Sequence, residues 1–277
     1  MGAKPRSLSG IKPTGTPHLG NYLGMIKPAI LMQETHETFY FIADYHALTS
    51  LRDSEQLKEN AYDLTAIFAA IGMDFENHAF FRQSDIPEVT ELTWILSCIT
   101  PKGLMERSHA FKDALSKEQE VNMGLFSYPI LMACDILIYD SNYVPVGQDQ
   151  RQHLEITRDL AVRFNLLFGE AFVVPEAIIQ KDVATIPGLD GRKMSKSYGN
   201  VVPLLAPEKQ FRKAIMKITT DSKTVEDSKD PETCNVFALY KCFSTETEPV
   251  SYLESGRDKA RAIARQVTDR VREKVGL

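Results

Sequence analysis

The stretch Arg6–Asn21, RSLSGIKPTGTPHLGN, decides how the rest of the chain is read. An apolar-leaning run from Arg6 to Ile11 breaks at Pro13-Thr14-Gly15-Thr16-Pro17 and resumes with helical spacing at His18, the pattern of strand, tight loop and helix. Thr16 is placed to cap that helix and Pro17 to take its first position, where a missing N–H costs nothing. A helix opening straight after a strand offers free N–H groups and a partial positive charge, which suits a polyphosphate, and His18 can donate to phosphate oxygens there. Gly20 lets a flat base approach the backbone. Alone, an H-x-G-N sequence also reads as an ordinary turn.

Working outward, Thr38–Ala43 (TFYFIA) is rich in aromatic and β-branched residues and predicts a second strand, ending at Asp44-Tyr45-His46. Helical periodicity covers Ser54 to Gly72, and Ala79–Arg82 predicts a third strand. Strands alternating with helix-length segments imply βαβ units and a parallel sheet, whose ligand site lies beyond the strand carboxyl ends at the switch in strand order. Both the 13–18 loop and the 44–46 turn fall at such ends. Tyr128 to Tyr139 (YPILMACDILIY) is apolar except for Asp135, the segment from Val144 to Gln150 reads as strand, loop and helix entry, and Gln150 to Phe164 is amphipathic. Beyond Gly199 the chain turns helical and polar, with a linker expected at Thr219 to Thr233.

With 277 residues the chain can bury one full core and still carry a smaller appendage. A hydrophobic share of 43%, a charged share of 25% and a mean hydropathy of -0.22 are ordinary for a soluble globular enzyme. No run of residues is apolar enough to span a bilayer, and the first six residues lack a signal-peptide core, so a cytoplasmic protein without membrane contact is expected. Cys98, Cys134, Cys234 and Cys242 are scattered without a C-x-x-C pair, which argues for reduced, mostly buried thiols and against a structural metal site. The net charge of -5 does not advertise a nucleic-acid binder, although an average can hide a local basic patch.

A second chemical element, Lys193-Met194-Ser195-Lys196-Ser197, is bracketed by Gly188, Gly191 and Gly199. Two lysines three apart on a glycine-flanked loop can close on a transferring phosphoryl group, though most such pairs are solvated basic turns. Together with the His18 element the loop resembles the paired H-x-G-H/N and K-M-S-K-S signatures of class I aminoacyl-tRNA synthetases. SGIKPTGTPHLGNYLG (9–24), YPILMACDILIY (128–139) and VPVGQDQRQHLEITRDLAVRFN (144–165) look like the tryptophanyl branch, and the resemblance runs from about Ser9 to Lys217.

Independent physics points to an indole. Tyr128, Met132 and Asp135 stand at i, i+4 and i+7 and share one helix face. A carboxylate in so apolar a helix needs a partner, and an indole offers one N–H donor and no acceptor, so an acceptor-only aspartate matches it while Met132 forms a pliable wall. In the sister tyrosyl branch the same helix typically reads Y-x-x-x-Q-x-x-D; here the glutamine position is Met132. The alternative is that Asp135 is a core acid paired with an arginine.

What the resemblance implies is a Rossmann-like doubly wound parallel α/β sheet over residues 1–200, ending in the lysine loop, and a shortened helical C-terminal domain over 201–277. It implies ATP as a substrate, with Mg²⁺ carried mainly by nucleotide oxygens. It places Lys12, Pro13, Thr14, His18, Gly20, Asn21, Gly147, Gln148, Asp149, Ile186, Lys193, Met194, Ser195, Lys196 and Ser197 around the nucleotide. Of these, Gly147, Gln148 and Asp149 would face the ribose and Ile186 the adenine. Tyr128 and Gln150 would hold the amino acid's ammonium, with Val144, Val146, Met132, Asp135 and His46 around the indole. His46 reads equally as a satisfied core histidine. Lys112 would contact the triphosphate, or form a surface salt bridge. Lys193, Lys196, His18 and Lys112 are the candidate catalytic residues. The amino acid's carboxylate is already ionised at neutral pH, so no general base is required and catalysis reduces to positioning and charge stabilisation.

Two positions depart from the family pattern. Lys12 stands where many bacterial relatives carry glutamine and adds a fixed charge beside the α-phosphate; Leu8 stands where an aromatic residue often closes the pocket. The segment from Arg257 to Leu277 has helical apolar spacing and seven basic residues against three acidic ones, which suits a tRNA backbone or a solvated face on a packed helix. Relatives place a longer helical domain before this helix, so some tens of residues that help to read the anticodon are expected to be missing. The partners implied are L-tryptophan, tRNA(Trp) and a second copy of the chain in a homodimer. The rivals are a tyrosyl enzyme and a non-charging paralogue that binds tryptophan or RNA.

Overall fold

The computed structural model describes residues 4–116, 118, 120–147, 150–179, 186–221 and 230–243. Gln148, Asp149, most of the expected linker and the helix expected from Arg257 lie outside them. The expected parallel α/β sheet is present, with five strands: β1 (Arg6–Ile11), β2 (Glu37–Ile42), β3 (Ala79–Arg82), β4 (Tyr143–Val146) and β5 (Glu176–Ile179). Their order is β3-β2-β1-β4-β5, every pairing parallel. Arg6 lies opposite Glu37, Phe39 opposite Ala79, and Ser7 opposite Tyr143. The strand order therefore reverses between β1 and β4, and Lys12 and Gly147 follow directly on their carboxyl ends.

The helices are α1 (Leu19–Asn21), α2 (Lys27–Leu31), α3 (Asp44–Ala47), α4 (Ser54–Ala70), α5 (Glu88–Ile99), α6 (Lys102–Glu106), α7 (His109–Ser116), α8 (Met123–Leu137), α9 (Arg151–Phe168), α10 (Glu208–Ile215) and α11 (Asn235–Lys241). A π-helical turn, Tyr22–Ile26, joins α1 to α2 and gives way just before Pro28, which has no N–H to continue it. Asn122 caps α8 by accepting the Leu125 N–H at 2.9 Å. Pro129 sits within that helix, where it removes one ladder donor.

Two compact units emerge. One takes the described parts of Met1–Thr14, Leu31–Tyr62 and Asp74–Lys181; the other takes Gly15–Ile30, Asp63–Met73 and the described part of Asp182–Leu277. They cut across the boundary expected near residue 200. The first unit holds the sheet. Leu8, Phe41, Ile136, Val144, Val146 and Leu154 form one apolar cluster, and Val89, Leu96, Ala133, Leu137, Ile156 and Leu160 form another among α5, α8 and α9. Each of the Leu, Ile, Val and Phe side chains among them contributes about 1.5–3 kcal/mol on burial. The core of the second unit gathers Leu19, Met194, Val202 and Leu239.

Several local expectations change. The first helix is capped by His18, whose backbone is extended (φ -117, ψ 170), so neither Thr16 nor Pro17 opens it. α8 begins at Met123 rather than Tyr128, because Asn122 caps it there; α9 runs on to Phe168 and stops at Gly169, whose φ of 97 suits only glycine. The cysteines are free as expected, but only Cys134 is buried and Cys98 is exposed. Among the described residues no helix is long and apolar enough to cross a membrane.

Candidate active site

Asp135, near the end of α8, is buried to 2% exposure, yet both its oxygens are engaged. Its Oδ2 accepts from His46 Nε2 at 2.8 Å and from Gln83 Nε2 at 2.9 Å, and its Oδ1 accepts from Gln83 Nε2 at 2.8 Å. The partner needed by so buried a carboxylate is therefore a histidine and a glutamine, not the arginine allowed from the sequence. Burial raises the Asp135 pKa, while the two donors act in the opposite direction. Gln83 is itself turned by its neighbours, since its Oε1 accepts the His46 backbone N–H at 3.4 Å.

Tyr128 stands two helical turns before Asp135 on the same face. Its ring meets those of His46 (5.9 Å) and His153 (5.2 Å) edge to face, and its hydroxyl shares a 2.8 Å hydrogen bond with His153 Nε2. Lys12 Nζ lies over the same ring at 5.3 Å, and desolvation lowers its pKa. Asn60, buried, ties the strand end by donating to the Pro13 carbonyl at 3.0 Å. The apolar wall is Met132 packed against Leu8, Val144 and Val146. The structure thus gathers Lys12, His46, Tyr128, Met132, Asp135, Val144 and Val146 in the first unit. Gln150 forms the cap of α9, donating its N–H to Gly147.

In the second unit the two signature elements, some 175 residues apart, become one assembly. His18 bridges Pro203, Leu19 N–H donates to Val202 at 2.8 Å, and Gly20 N–H donates to Met194 Sδ at 3.2 Å. Asn21 Oδ1 accepts the His18 N–H at 3.0 Å, and Asn21 N–H returns to the His18 carbonyl. Every N–H from His18 to Asn21 is thereby taken. The expectation that this helix end presents free N–H groups to a polyphosphate does not hold, and contact with an anion falls to side chains. His18 is 8% exposed, its Nδ1 has no partner among the described residues, and burial, then the nearby Lys196 charge, lowers its pKa. Both causes favour the neutral imidazole. A Cβ on Gly20 would stand 3.0 Å from that ring, so glycine is required here by the histidine itself.

The lysine loop is built around a residue that sequence reasoning missed. Asn200, 4% exposed, accepts the Ser195 N–H at 2.8 Å and donates to the Lys193 carbonyl at 3.1 Å and to Asp190 Oδ1 at 2.7 Å. A Cβ on Gly188 would fall 2.2 Å from its amide nitrogen, so Gly188 serves close packing rather than mobility. Hydrogen bonding by Asn200 and Arg192 holds the Asp190 carboxyl below the usual range. Lys196 opens a 3-10 turn with its ammonium against Gly15, and desolvation lowers its pKa. Lys193 pairs its backbone with Pro187 and leaves its side chain exposed; Ile186 accepts the Met194 N–H and packs in the core. Ser197 lies in the turn. Lys112, on α7, is exposed, and no ion pair to it occurs among the described residues.

Gln83 and His153 were also missed. Gln83 had a legible signal, since it follows directly on β3 at a strand carboxyl end; His153 had none, because its partner Tyr128 is 25 residues away, and Asn200 had none, because its loop contacts follow no periodic pattern.

Comparison with known proteins accords with this geometry. The model of the tRNA synthetases class I (W and Y) matches residues 2–274, and the chain belongs to that family. A tryptophan--tRNA ligase of Pseudomonas aeruginosa is 49% identical over 260 residues, covering 89% of this chain and 58% of that protein. One from Fusobacterium nucleatum is 51% identical over 240 residues, covering 86% of this chain and 74% of the relative. The chain thus spans under two thirds of several of its curated relatives. Among solved structures, tryptophanyl-tRNA synthetase from Campylobacter jejuni complexed with ADP and tryptophan superposes with a TM-score of 0.89 at 44% identity, covering 97% of this chain and 88% of that one. A tyrosyl-tRNA synthetase from Archaeoglobus fulgidus, 22% identical with a TM-score of 0.67, shares the fold.

Proposed function

We propose that this chain activates L-tryptophan with ATP, forming tryptophanyl-adenylate and pyrophosphate, and transfers the amino acid to tRNA(Trp). The observation that carries the reading is a buried acceptor, Asp135, beside the apolar wall of Met132, Val144 and Val146, in a chain that also joins His18 to the lysine loop. The indole N–H meets Asp135, and the ammonium meets Tyr128 and Gln150. The substrate carboxylate attacks the α-phosphate in line, and no residue has to remove a proton from it. Lys12 offsets charge at the α-phosphate. Neutral His18 offers a ring N–H to phosphate oxygens without adding charge, while Lys193, Lys196 and Lys112 oppose the charge growing on the leaving pyrophosphate. Pro13, Thr14, Gly20, Asn21, Gly147, Gln148, Asp149, Ile186, Met194, Ser195 and Ser197 complete the nucleotide's surroundings.

Among the described residues no group of three or more His, Cys, Asp or Glu stands together, and the charged side chain near His18 is the Lys196 ammonium. Mg²⁺ fits this set only on the oxygens of the nucleotide, where it supplies charge neutralisation. A homodimer working in the cytoplasm belongs to the same proposal and rests on the resemblance. The test is ATP–pyrophosphate exchange with tryptophan against tyrosine, followed by charging of tRNA(Trp). Exchange with tryptophan alone is expected; preference for tyrosine would mark a tyrosyl enzyme, and binding without exchange a non-charging paralogue.

A further inference from the structure

Gln83 has no part in the reaction as described, yet it is 1% exposed and points its only donor group at the one carboxylate the amino-acid site depends on. Its amide cannot flip. Oε1 accepts the His46 backbone N–H, and Nε2 directs one N–H between the two Asp135 oxygens as a bifurcated hydrogen bond. The turn that carries it is held from both sides: Ser84 gives its N–H to Asp44 Oδ1 at 3.0 Å and its hydroxyl to Asp44 Oδ2 at 2.5 Å, while Arg82 binds both oxygens of Asp85. These bonds fix the backbone on either side of Gln83 and with it the direction of its amide.

Counting lone pairs shows the consequence. Oδ2 of Asp135 takes two donors, from His46 and Gln83, and Oδ1 takes only one. A carboxylate oxygen accepts about two hydrogen bonds. Oδ1 is therefore left with one acceptor position, and every protein donor on the carboxylate is already spent. Such a group recognises a single N–H and offers nothing to an acceptor.

We propose that Gln83 is the positioning residue for side-chain recognition: by holding both oxygens of Asp135 it orients the carboxylate and leaves Oδ1 as the single acceptor for the substrate's indole N–H. This rests on the assignment of tryptophan as substrate. Gln83 acts only through Asp135 and touches no reacting atom. Without it, Asp135 keeps His46 alone, can rotate about its side-chain bonds, and no longer has one oxygen reserved for the ligand. The loss falls on amino-acid selection and leaves ATP handling in place.

The experiment compares L-tryptophan with 3-benzothienyl-L-alanine, its sulfur isostere lacking the N–H, in ATP–pyrophosphate exchange by the intact chain, for wild type, Gln83→Met and Gln83→Asn. Wild type should favour tryptophan by on the order of 100-fold in kcat/KM, as expected when a buried polar group is left unpaired by the analogue. Gln83→Met should shrink that preference by roughly tenfold, through KM for tryptophan, with KM for ATP and kcat at saturating tryptophan nearly unchanged. Gln83→Asn keeps an amide but withdraws it by a bond length, and should fall between the two; it carries the test if Gln83→Met does not fold. Full preference retained in a folded variant, or an equal loss toward both amino acids, overturns the role of Gln83 and leaves the enzyme reading intact. A wild-type chain that does not distinguish the two amino acids overturns recognition of the indole N–H by Asp135, whereas exchange with neither overturns the tryptophan assignment itself.

Discussion

Removing the Asn200 side chain should disable the lysine loop without unfolding the chain. Asn200→Ala deletes the acceptor of the Ser195 N–H and the donor to the Lys193 carbonyl, two bonds of 2.8 and 3.1 Å between neutral groups. At about 1 kcal/mol each they supply ~2 kcal/mol toward the ordered loop. The third bond, to Asp190, is left out of that sum because the carboxylate is open to water. A shift of about 2 kcal/mol changes the ratio of ordered to disordered loop by roughly 30-fold, so kcat for tryptophan-dependent ATP–pyrophosphate exchange should fall about tenfold or more, with the melting temperature lowered by only a few degrees. Gly188→Ala attacks the same contact from the other side, since its Cβ would sit 2.2 Å from the Asn200 side-chain amide nitrogen and 2.8 Å from the Asn200 backbone carbonyl oxygen. The double variant should be less impaired than the sum of the single losses, because the amide that the added methyl group strikes is gone. Exchange within twofold of wild type in folded Asn200→Ala protein would refute the claim that this side chain shapes the loop.

Other outcomes follow from the buried and charged groups. Asp135→Ala strands two buried donors, Gln83 Nε2 and His46 Nε2, and should cost about 2–5 kcal/mol in urea unfolding, whereas Asp135→Asn should cost less. Because the folded-state pKa of Asp135 is raised, the folded chain binds the extra proton, so the stability of wild type relative to Asp135→Asn should fall as pH rises above the ordinary carboxylate value; a rising difference would contradict the burial argument. Lys12→Gln should slow exchange by roughly tenfold or more and remove an alkaline limb that wild type shows below the ordinary lysine range, since desolvation lowers the Lys12 pKa. His18 should titrate below 6.5 by NMR, and Lys196→Ala should raise that midpoint only in part, because burial is the larger cause. Stability linked to His18 is full above pH 6.5 and is lost as pH falls below it.

The gap between what the residues announced and what the fold decided follows range of interaction. β1, β3 and α4 were legible to within two residues, because alternation, helical period and proline breaks are local. β5 (EAII) lacks the aromatic residues that marked the equally short β3 (AFFR), and the cap of the first helix was misplaced because its N–H groups are satisfied by Val202 and Met194, far along the chain.

The sequence by itself determined the parallel α/β class, the two signature elements at His18 and Lys193–Ser197 and an aspartate on one face of an apolar helix, since residue type and spacing carry that information. Only the tertiary structure decided that His46 and Gln83 partner Asp135, that Asn200 shapes the lysine loop, and that the helix at His18 has no N–H left to give. Each of those depends on which atoms lie within about 3 Å, from five residues apart at Asn200 to 174 at Gly20, a distance that folding alone sets.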